Sequence, residues 1–596
     1  MVTYLKSRAT RSELIRVAMG DTKADVVLQE ANLVNVISGE IYKTDIALKA
    51  DRIALVGEAG HCTGENTEVI EASGLYAAPG LIDGHIHIES TMLTVEEFSY
   101  LAVPHGTTSV NADAHEISNV LGIRGFRLFH DRSRRVPLRI FMVAPSSVPL
   151  TGSKMEIPSK RIDLKELTAI VKMQNVLGLS EVLNTTELLK GSPNLSAKIQ
   201  IAIMFQKYID GNAPGLSGKE LNAYLAAGPQ HDHEAITAEE ALERLRLGFW
   251  VMFREGSSER NLSDLAEILK HGKVDSRRCC FATDDKDPRD LAIEGHIDHC
   301  LRKSISAGIP PVTAVQMATL NCAEYMGLER ELGSISPGKM ADIVLFDDLE
   351  SLNVRFTLIG GKIVARNGKA SFRLDTRPYP RWATKTVRMR RRVTAADLLI
   401  HAPDTERVTV RVLDVTKGTI ISEMKVVDLP VRDRALNSDV DQDVLKVAVA
   451  ERYGKTNLAV GKGFTIGFGL KHGAIASSVA HDAHNIICVG TNDLDMVDAM
   501  NQVVAMQGGL VAVKEGKTIA QLELRLAGIM SVESWKIVSD KLAFLHQEVR
   551  EELDCKLRSP YMVLAFESSA SVPELKVSTR GLIDVSTMRI IPLVVT

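Results

Sequence analysis

Short runs in which apolar and polar positions alternate open the chain, as in Asp25-Val-Val-Leu-Gln and Asp45-Ile-Ala-Leu-Lys, and they recur from Ala24 to Ala78 with Asn and Gly between them. A period of two turns one face of each run inward, which predicts small antiparallel strands. A matching set lies far downstream: Ala341-Asp-Ile-Val-Leu-Phe-Asp, then Phe356-Thr-Leu-Ile-Gly-Gly-Lys-Ile-Val-Ala with Asn367-Gly-Lys as a hairpin turn. The two sets predict one small composite β domain, 24–78 plus 338–380, preceded by a helical extension over 1–23.

Between Pro79 and Met326 the pattern changes. Short apolar runs alternate with helical stretches such as Asp163 to Met173, Lys219 to Ala227 and Thr237 to Leu247. Regular alternation argues for a parallel sheet, and this number of repeats favours an α/β (β/α)8 TIM-like barrel over 79–337. The expected strand ends carry His85 and His87, then Asp113, Ala144, Glu181, Asn212, His233, Arg254 and Asp284. Barrel active sites lie at those ends, so the polar residues there are candidates for chemistry.

After Arg392 the pattern resets. A Gly-rich stretch, Gly461 to Ala476, is followed by an expected helix from Asp493 to Met506 and by further strands, which predicts a C-terminal α+β domain over 393–596. At 596 residues the chain is too long for one core. Its 71 basic and 75 acidic side chains give a formal charge of −4, which provides no field for nucleic acid or an anionic membrane. The basic run Arg388 to Arg392 lies between two expected domains and reads as a solvated linker. No apolar run is long enough to span a bilayer, and Met1 to Gly20 lacks a signal-peptide core, so a cytoplasmic protein is expected. Seven scattered cysteines show no disulfide or structural-zinc spacing and read as reduced, mostly buried thiols.

The candidate chemistry starts at Ala78-Pro-Gly-Leu-Ile-Asp-Gly-His-Ile-His-Ile-Glu. His85 and His87 stand two apart on an expected strand, so both imidazoles face one side about 6.5 Å apart, a spacing that suits two ligands of one divalent metal. A pair of structural histidines would read the same way. Glu181 ends another apolar strand, where an ionised carboxylate is costly without a cation. Phe281-Ala-Thr-Asp284-Asp285 ends a third with two acids, one expected inward and one outward. A metal-linked Asp284 could also move protons to and from the reacting water. His233 adds an imidazole.

Pro79-Gly-Leu-Ile-Asp-Gly-His-Ile-His with Thr283-Asp284 resembles the amidohydrolase superfamily. Asp113-Ala-His-Glu-Ile-Ser-Asn, Gly211-Asn-Ala-Pro-Gly-Leu-Ser-Gly-Lys-Glu-Leu-Asn-Ala-Tyr, Arg254-Glu-Gly-Ser, Glu294-Gly-His-Ile-Asp and Ser478-Val-Ala-His-Asp-Ala-His-Asn are similar to the adenine deaminases within it. The resemblance covers nearly the whole chain. It implies a binuclear site of manganese or iron, with zinc as an alternative: His85, His87, Glu181 and Asp284 around one ion, Glu181 bridging to a second held by two histidines. It implies attack of metal-bound hydroxide on C6 of adenine, giving hypoxanthine and ammonia, and a homodimer is the default assembly. Adenine also needs a ring nitrogen protonated or hydrogen-bonded. Catalytic His115 and Glu116, with substrate-binding Asp113, Arg254 and Glu255, are the candidates for that.

One position departs from the family pattern: Asn212 stands where the second ion's histidine is usual. A carboxamide is a poorer donor than imidazole, so a second ion should bind weakly, differently or not at all. His231 forms a second His-x-His with His233; it reads either as a substitute ligand or as an exposed loop residue. His481 to Asn485 reads either as a turn or as part of the site.

Two other motifs are decoys. Gly461-Lys-Gly463 with Gly467 fits no dinucleotide fingerprint and reads as turn glycines, and Gly516-Lys-Thr518 lacks the first glycine of a phosphate loop. No Pro-Cys-x-x-Cys exists, which removes the zinc deaminases that act on cytosines and nucleic-acid adenines. Two alternatives to adenine hydrolysis stay open, a cyclic-amide hydrolase of the dihydroorotase or hydantoinase type and a purine-binding paralogue that has lost part of its site. The first usually bridges its metals with a modified lysine where this chain has Glu181.

Overall fold

The computed structural model describes residues 8–270, 272–374, 377–417 and 421–595. Eight short strands form the centre: β1 (Leu81–Ile86), β2 (Thr107–Asp113), β3 (Arg139–Ala144), β4 (Val176–Leu179), β5 (Tyr208–Ile209), β6 (His231–Asp232), β7 (Trp250–Arg254) and β8 (Cys279–Ala282). Neighbours from β1 to β5 and from β6 to β8 pair in parallel. The backbone N–H of Gln230 donates to the Ile209 carbonyl at 2.9 Å and links β5 to β6. A parallel bridge between Ile86 and Asp284 closes β8 on β1. The strands are almost wholly buried because helices cover them outside and side chains fill the centre, the arrangement expected of a closed parallel barrel.

The helical stretches read from periodicity are present as Leu164–Val171, Gly218–Ala227 and Ala238–Leu247. Each starts at a residue that suits the turn. The side chains of Asp163 and Thr237, for example, accept from the third helical N–H, which satisfies one of the unpaired donors of a helix start.

The flanking strands meet in one sheet. Tyr76–Pro79 pairs antiparallel with Ile343–Phe346, so strands from before and after the barrel share one set of hydrogen bonds. Asn367 and Gly368 both have positive φ, at 48° and 71°, as the tight turn between Lys362–Arg366 and Lys369–Ala370 requires. Ahead of this sheet Arg11–Ala18 is helical, with Leu14 and Val17 buried; of the expected extension, residues 1–7 lie outside the described ones.

The C-terminal part holds an eight-stranded sheet, with Arg407–Asp414 and Val444–Ala450 among its strands, and the helices Asp493–Met506, Trp535–Glu551 and Pro560–Phe566. Residues 418–420 and 596 of it lie outside the described ones. Gly461 and Gly463, read as turn glycines, instead lie within the strand Val460–Ile466. A Cβ on Gly461 would stand 1.7 Å from the Ser578 carbonyl oxygen and one on Gly463 2.7 Å from Leu582, so both let the hairpin of Leu575–Ser578 and Gly581–Asp584 approach closely. Gly467, with φ +114°, does turn the chain.

This part sits over the C-terminal ends of the barrel strands. The Ser531 N–H donates to the Met92 carbonyl at 2.7 Å and the Trp535 N–H to Glu97 at 2.9 Å, both in the segment that follows β1. All seven cysteines are buried and free. Among the described residues, no helix is long and apolar enough to cross a membrane.

Candidate active site

β1 delivers His85 and His87 to the barrel mouth with their Nε2 atoms 3.2 Å apart. His87 donates Nδ1–H to the Asp113 carbonyl at 3.1 Å, which turns the Nε2 lone pair toward the centre. Glu181, just after β4, brings Oε2 to 3.3 Å from His87 Nε2 and 3.8 Å from His85 Nε2. Asp284, just after β8, brings Oδ1 to the same two distances. Five of the six separations among these four donors lie between 3.2 and 3.8 Å, the edge lengths of a coordination shell whose bonds are about 2.0–2.2 Å long.

The electrostatics ask for positive charge at the same point. Burial alone would raise the Glu181 carboxyl, but the charge of His85 and hydrogen bonds from His233 and His87 hold it well below the usual carboxylate range. Asp284 is lowered in the same way against burial, by the charges of His233, His87 and Arg254 and a hydrogen bond from His87. Conversely, burial would lower His87, and the bonds to Asp284 and Glu181 raise it well above the usual imidazole value. Protons on the rings here balance two buried acids, and a divalent ion would satisfy the same demand. The donor set therefore fits a divalent cation at His85, His87, Glu181 and Asp284.

The side toward β5 and β6 differs. His233 Nε2 lies 3.1 Å from the other oxygen of Glu181. Asn212 also faces that oxygen, but with its Nδ2, which donates to Glu181 Oε1 at 2.8 Å and to Glu234 Oε1 at 2.9 Å. Hydrogens rather than lone pairs thus point from Asn212 to the Glu181 oxygen that His233 also faces. His231, one pleat below His233 on β6, is fully buried and not an exposed loop residue. Its Nδ1 meets Tyr325 Oη at 2.8 Å and Asp210 at 3.1 Å, and its ring centre is 6.1 Å from that of His85.

Of the other predicted residues, His115, Glu116 and Arg254 line the cavity above these donors. Arg254 gives NH1 to Asp284 at 2.9 Å and NH2 to Glu234 at 3.0 Å, while its Nε reaches Asn261 at 3.4 Å. Asp113 lies one layer behind, 3.3 Å from His115 Nδ1 and bonded to Ser180 at 2.5 Å. Glu255 turns away from the cavity, to Lys303 at 2.7 Å with Arg260 and His299 nearby, because β7 sends successive side chains to opposite faces. Asp284 and Asp285, expected to face opposite ways, both line the cavity, and Asp285 is bonded to Ser90. The φ of +53° at Asp284 breaks the strand alternation and turns both acids to one side.

Several cavity residues carried no separate signal in the sequence. Glu234 and Glu259 come from the loops after β6 and β7, and Phe566, Ser571 and Val572 come from the C-terminal part, beside Asp482 of the stretch His481 to Asn485. With them comes His481, in the His-rich stretch that reads either as a turn or as part of the site. Glu116 joins the two parts, with one carboxylate oxygen on His481 and the other on His484.

An amidohydrolase family model matches residues 76–364, and a model of the adenine deaminase C-terminal domain matches 419–589. An adenine deaminase of Archaeoglobus fulgidus is 41% identical over 581 residues, 97% of each chain. That of Moorella thermoacetica is 38% identical over 584 residues, 98% of each chain. The chain belongs to the adenine deaminase family. The acids and imidazoles at the barrel mouth fit a divalent metal site, and the part of the chain matched by the adenine deaminase C-terminal model forms one wall of the cavity.

Proposed function

We propose that the chain hydrolyses adenine to hypoxanthine and ammonia, using the centre at His85, His87, Glu181 and Asp284. The four-donor geometry carries the chemistry of this reading, and near-full-length likeness to adenine deaminases supports the substrate. The donors suit a first-row divalent ion, manganese or iron, with zinc as the alternative. Such an ion, when bound, supplies the charge that lets a water lose its proton near neutral pH.

The rest is done by this chain's own groups. Asp284 takes the water's proton with Oδ1, while Arg254 on its Oδ2 keeps the carboxylate oriented. Arg254 also holds Glu234. His115 and Glu116 line the substrate's side of the cavity, and Asp113 aligns both His87 and His115. Phe566, Val572 and Leu183 offer the purine apolar contact and exclude water. Ammonia release from adenine is expected after loading with manganese or iron, and is expected to vanish on chelation. A metal-loaded protein that is inert toward adenine but turns over a hydantoin would overturn the assignment.

At Asn212 the chain is read as favouring a single tightly held ion. Metal analysis after extensive dialysis is expected to give about one ion per chain for the wild type. Asn212→His, which exchanges two N–H donors for an imidazole beside His233 and Glu181, is expected to raise the content toward two. Equal content in the two proteins would defeat this reading of Asn212.

A further inference from the structure

The cavity wall contributed by the C-terminal domain ends in one unspent nitrogen. His484 Nδ1 accepts from the backbone N–H of Ala480 at 3.3 Å, so its Nε2 carries the hydrogen and donates to Glu116. The other oxygen of Glu116 takes the Nδ1–H of His481. Every position in this chain of hydrogen bonds then has a partner except His481 Nε2, which is buried without one among the described residues. Its ring lies on the cavity wall, stacked on Phe566 at 4.4 Å, and Ser568 Oγ donates to its carbonyl at 3.0 Å.

The surroundings decide whether that nitrogen carries a proton. Burial would lower the imidazole, but Glu116, Asp285 and Asp482 face it and raise it to about 9. Two cationic or potentially cationic neighbours are close to the same acids: His484, which burial lowers, and His115, 3.4 Å from Glu116 and 3.7 Å from Asp482. At neutral pH His481 carries a hydrogen on Nε2, and its ring lines a cavity that it shares with the carboxylates of Glu116, Glu234, Glu259, Asp285 and Asp482 and with the imidazole of His115. Arg254 and Asn212 have already given their hydrogens to Asp284, Glu181 and Glu234.

Adenine supplies an acceptor for such a donor. As the oxygen of water bonds to C6, the C6–N1 π pair moves onto N1, which becomes basic and needs a proton. We propose that His481 is a catalytic residue that gives its Nε2 proton to N1, and that Glu116 and His484 act as positioning residues through it. The inference rests on the adenine hydrolysis proposed above. The proton count closes. Water's first proton leaves to Asp284, and the proton of the new C6 hydroxyl passes to the departing amine. Ammonia takes the C6–N bonding pair, C6 becomes a carbonyl, and N1 keeps the hydrogen from His481. The proton held at Asp284 then restores the imidazolium.

The test compares wild type with His481→Gln and His481→Asn, all metal-loaded. Both variants are expected to lower kcat for adenine about 10²- to 10⁴-fold, with metal content and circular dichroism unchanged. The wild-type kcat should fall on the alkaline side near pH 9, and that limb should be missing from the variants. As a readout that a structural role would not move, wild type should bind 3-deazaadenine more tightly than 1-deazaadenine, which lacks N1, and His481→Gln should lose the preference. Variants that keep the wild-type kcat and alkaline limb overturn the proposal, as do variants that lose activity together with metal or fold. A wild type that releases no ammonia from adenine overturns the functional reading itself, and this proposal falls with it.

Discussion

An Asp284→Asn variant is expected to release ammonia from adenine about 10⁴-fold more slowly than the wild type, while remaining folded. Asp284 holds two positions at once: Oδ1 is 3.3 Å from His87 Nε2, and Oδ2 accepts from Arg254 at 2.9 Å. Asparagine keeps the volume but removes a negative charge from the donor set and a base from the water's side. The fold should tolerate this because Arg254, fully buried, still has Glu234 at 3.0 Å, so no charge is left unpaired. Ammonia release measured at saturating adenine, beside metal content and circular dichroism, checks it. A variant within tenfold of wild type would remove Asp284 from the mechanism.

Asp232→Ala is expected to destabilise the barrel by about 3–5 kcal/mol, because it leaves the Arg244 guanidinium buried without its carboxylate. Both side chains are fully buried, and Arg244 Nε bonds directly to Asp232 Oδ2. Asp232 Oδ1 also accepts the Ala213 N–H at 2.8 Å, and Arg244 NH2 gives a hydrogen to the Ala213 carbonyl at 2.7 Å. The pair therefore clamps the residue after Asn212 to the strand that carries His233, so activity should fall along with stability. Equilibrium denaturation reads the loss. The double variant Asp232→Ala, Arg244→Met should recover much of it, since an apolar replacement of both partners removes the unpaired charge. A single variant as stable as wild type would show that water reaches the guanidinium.

The barrel was legible because several strands, such as Val176–Leu179, Trp250–Arg254 and Cys279–Ala282, are short apolar runs with a polar residue at or just past their end, and the expected ends at His85, Asp113, Glu181, Asn212, His233, Arg254 and Asp284 all fall at or within a few residues of an observed strand terminus. The same alternation misplaces residues wherever the backbone leaves strand geometry. Strand alternation sends one of Asp284 and Asp285 inward and the other outward, and the positive φ at Asp284 brings both in. Glu234 follows His233 past the end of β6, where the two-residue period no longer applies. Glu255 differs for the opposite reason: it continues the alternation of β7 and so faces away from Arg254's side. His231 could not be distinguished from a loop residue until the barrel placed it a layer under the donors.

The contacts of His481 and His484 with Glu116 lie furthest from any local signal. They join residues 365 and 368 positions apart, and depend on how a separate sheet docks over the barrel. Periodicity within a segment carries no information about such a meeting. Likeness to a family could flag the stretch around His481, but not which nitrogen would be left facing the cavity. Gly461 and Gly463 illustrate the same limit at the level of packing, since a glycine that admits a neighbouring backbone looks the same in sequence as one that makes a turn.

The sheet that unites Tyr76–Pro79 with Ile343–Phe346 has a consequence for how the chain matures on the ribosome. Ala77 and Leu345, which pair across it, are roughly 270 residues apart. At about 5–20 residues per second, the first strands leave the exit tunnel tens of seconds before their partner is made. During that interval the inner edge of Tyr76–Pro79 has only Val26–Asn35 on its other side, with the whole barrel being threaded through the gap. Nascent chains stalled before residue 340 should therefore be the most protease-sensitive and chaperone-dependent stage in making this protein.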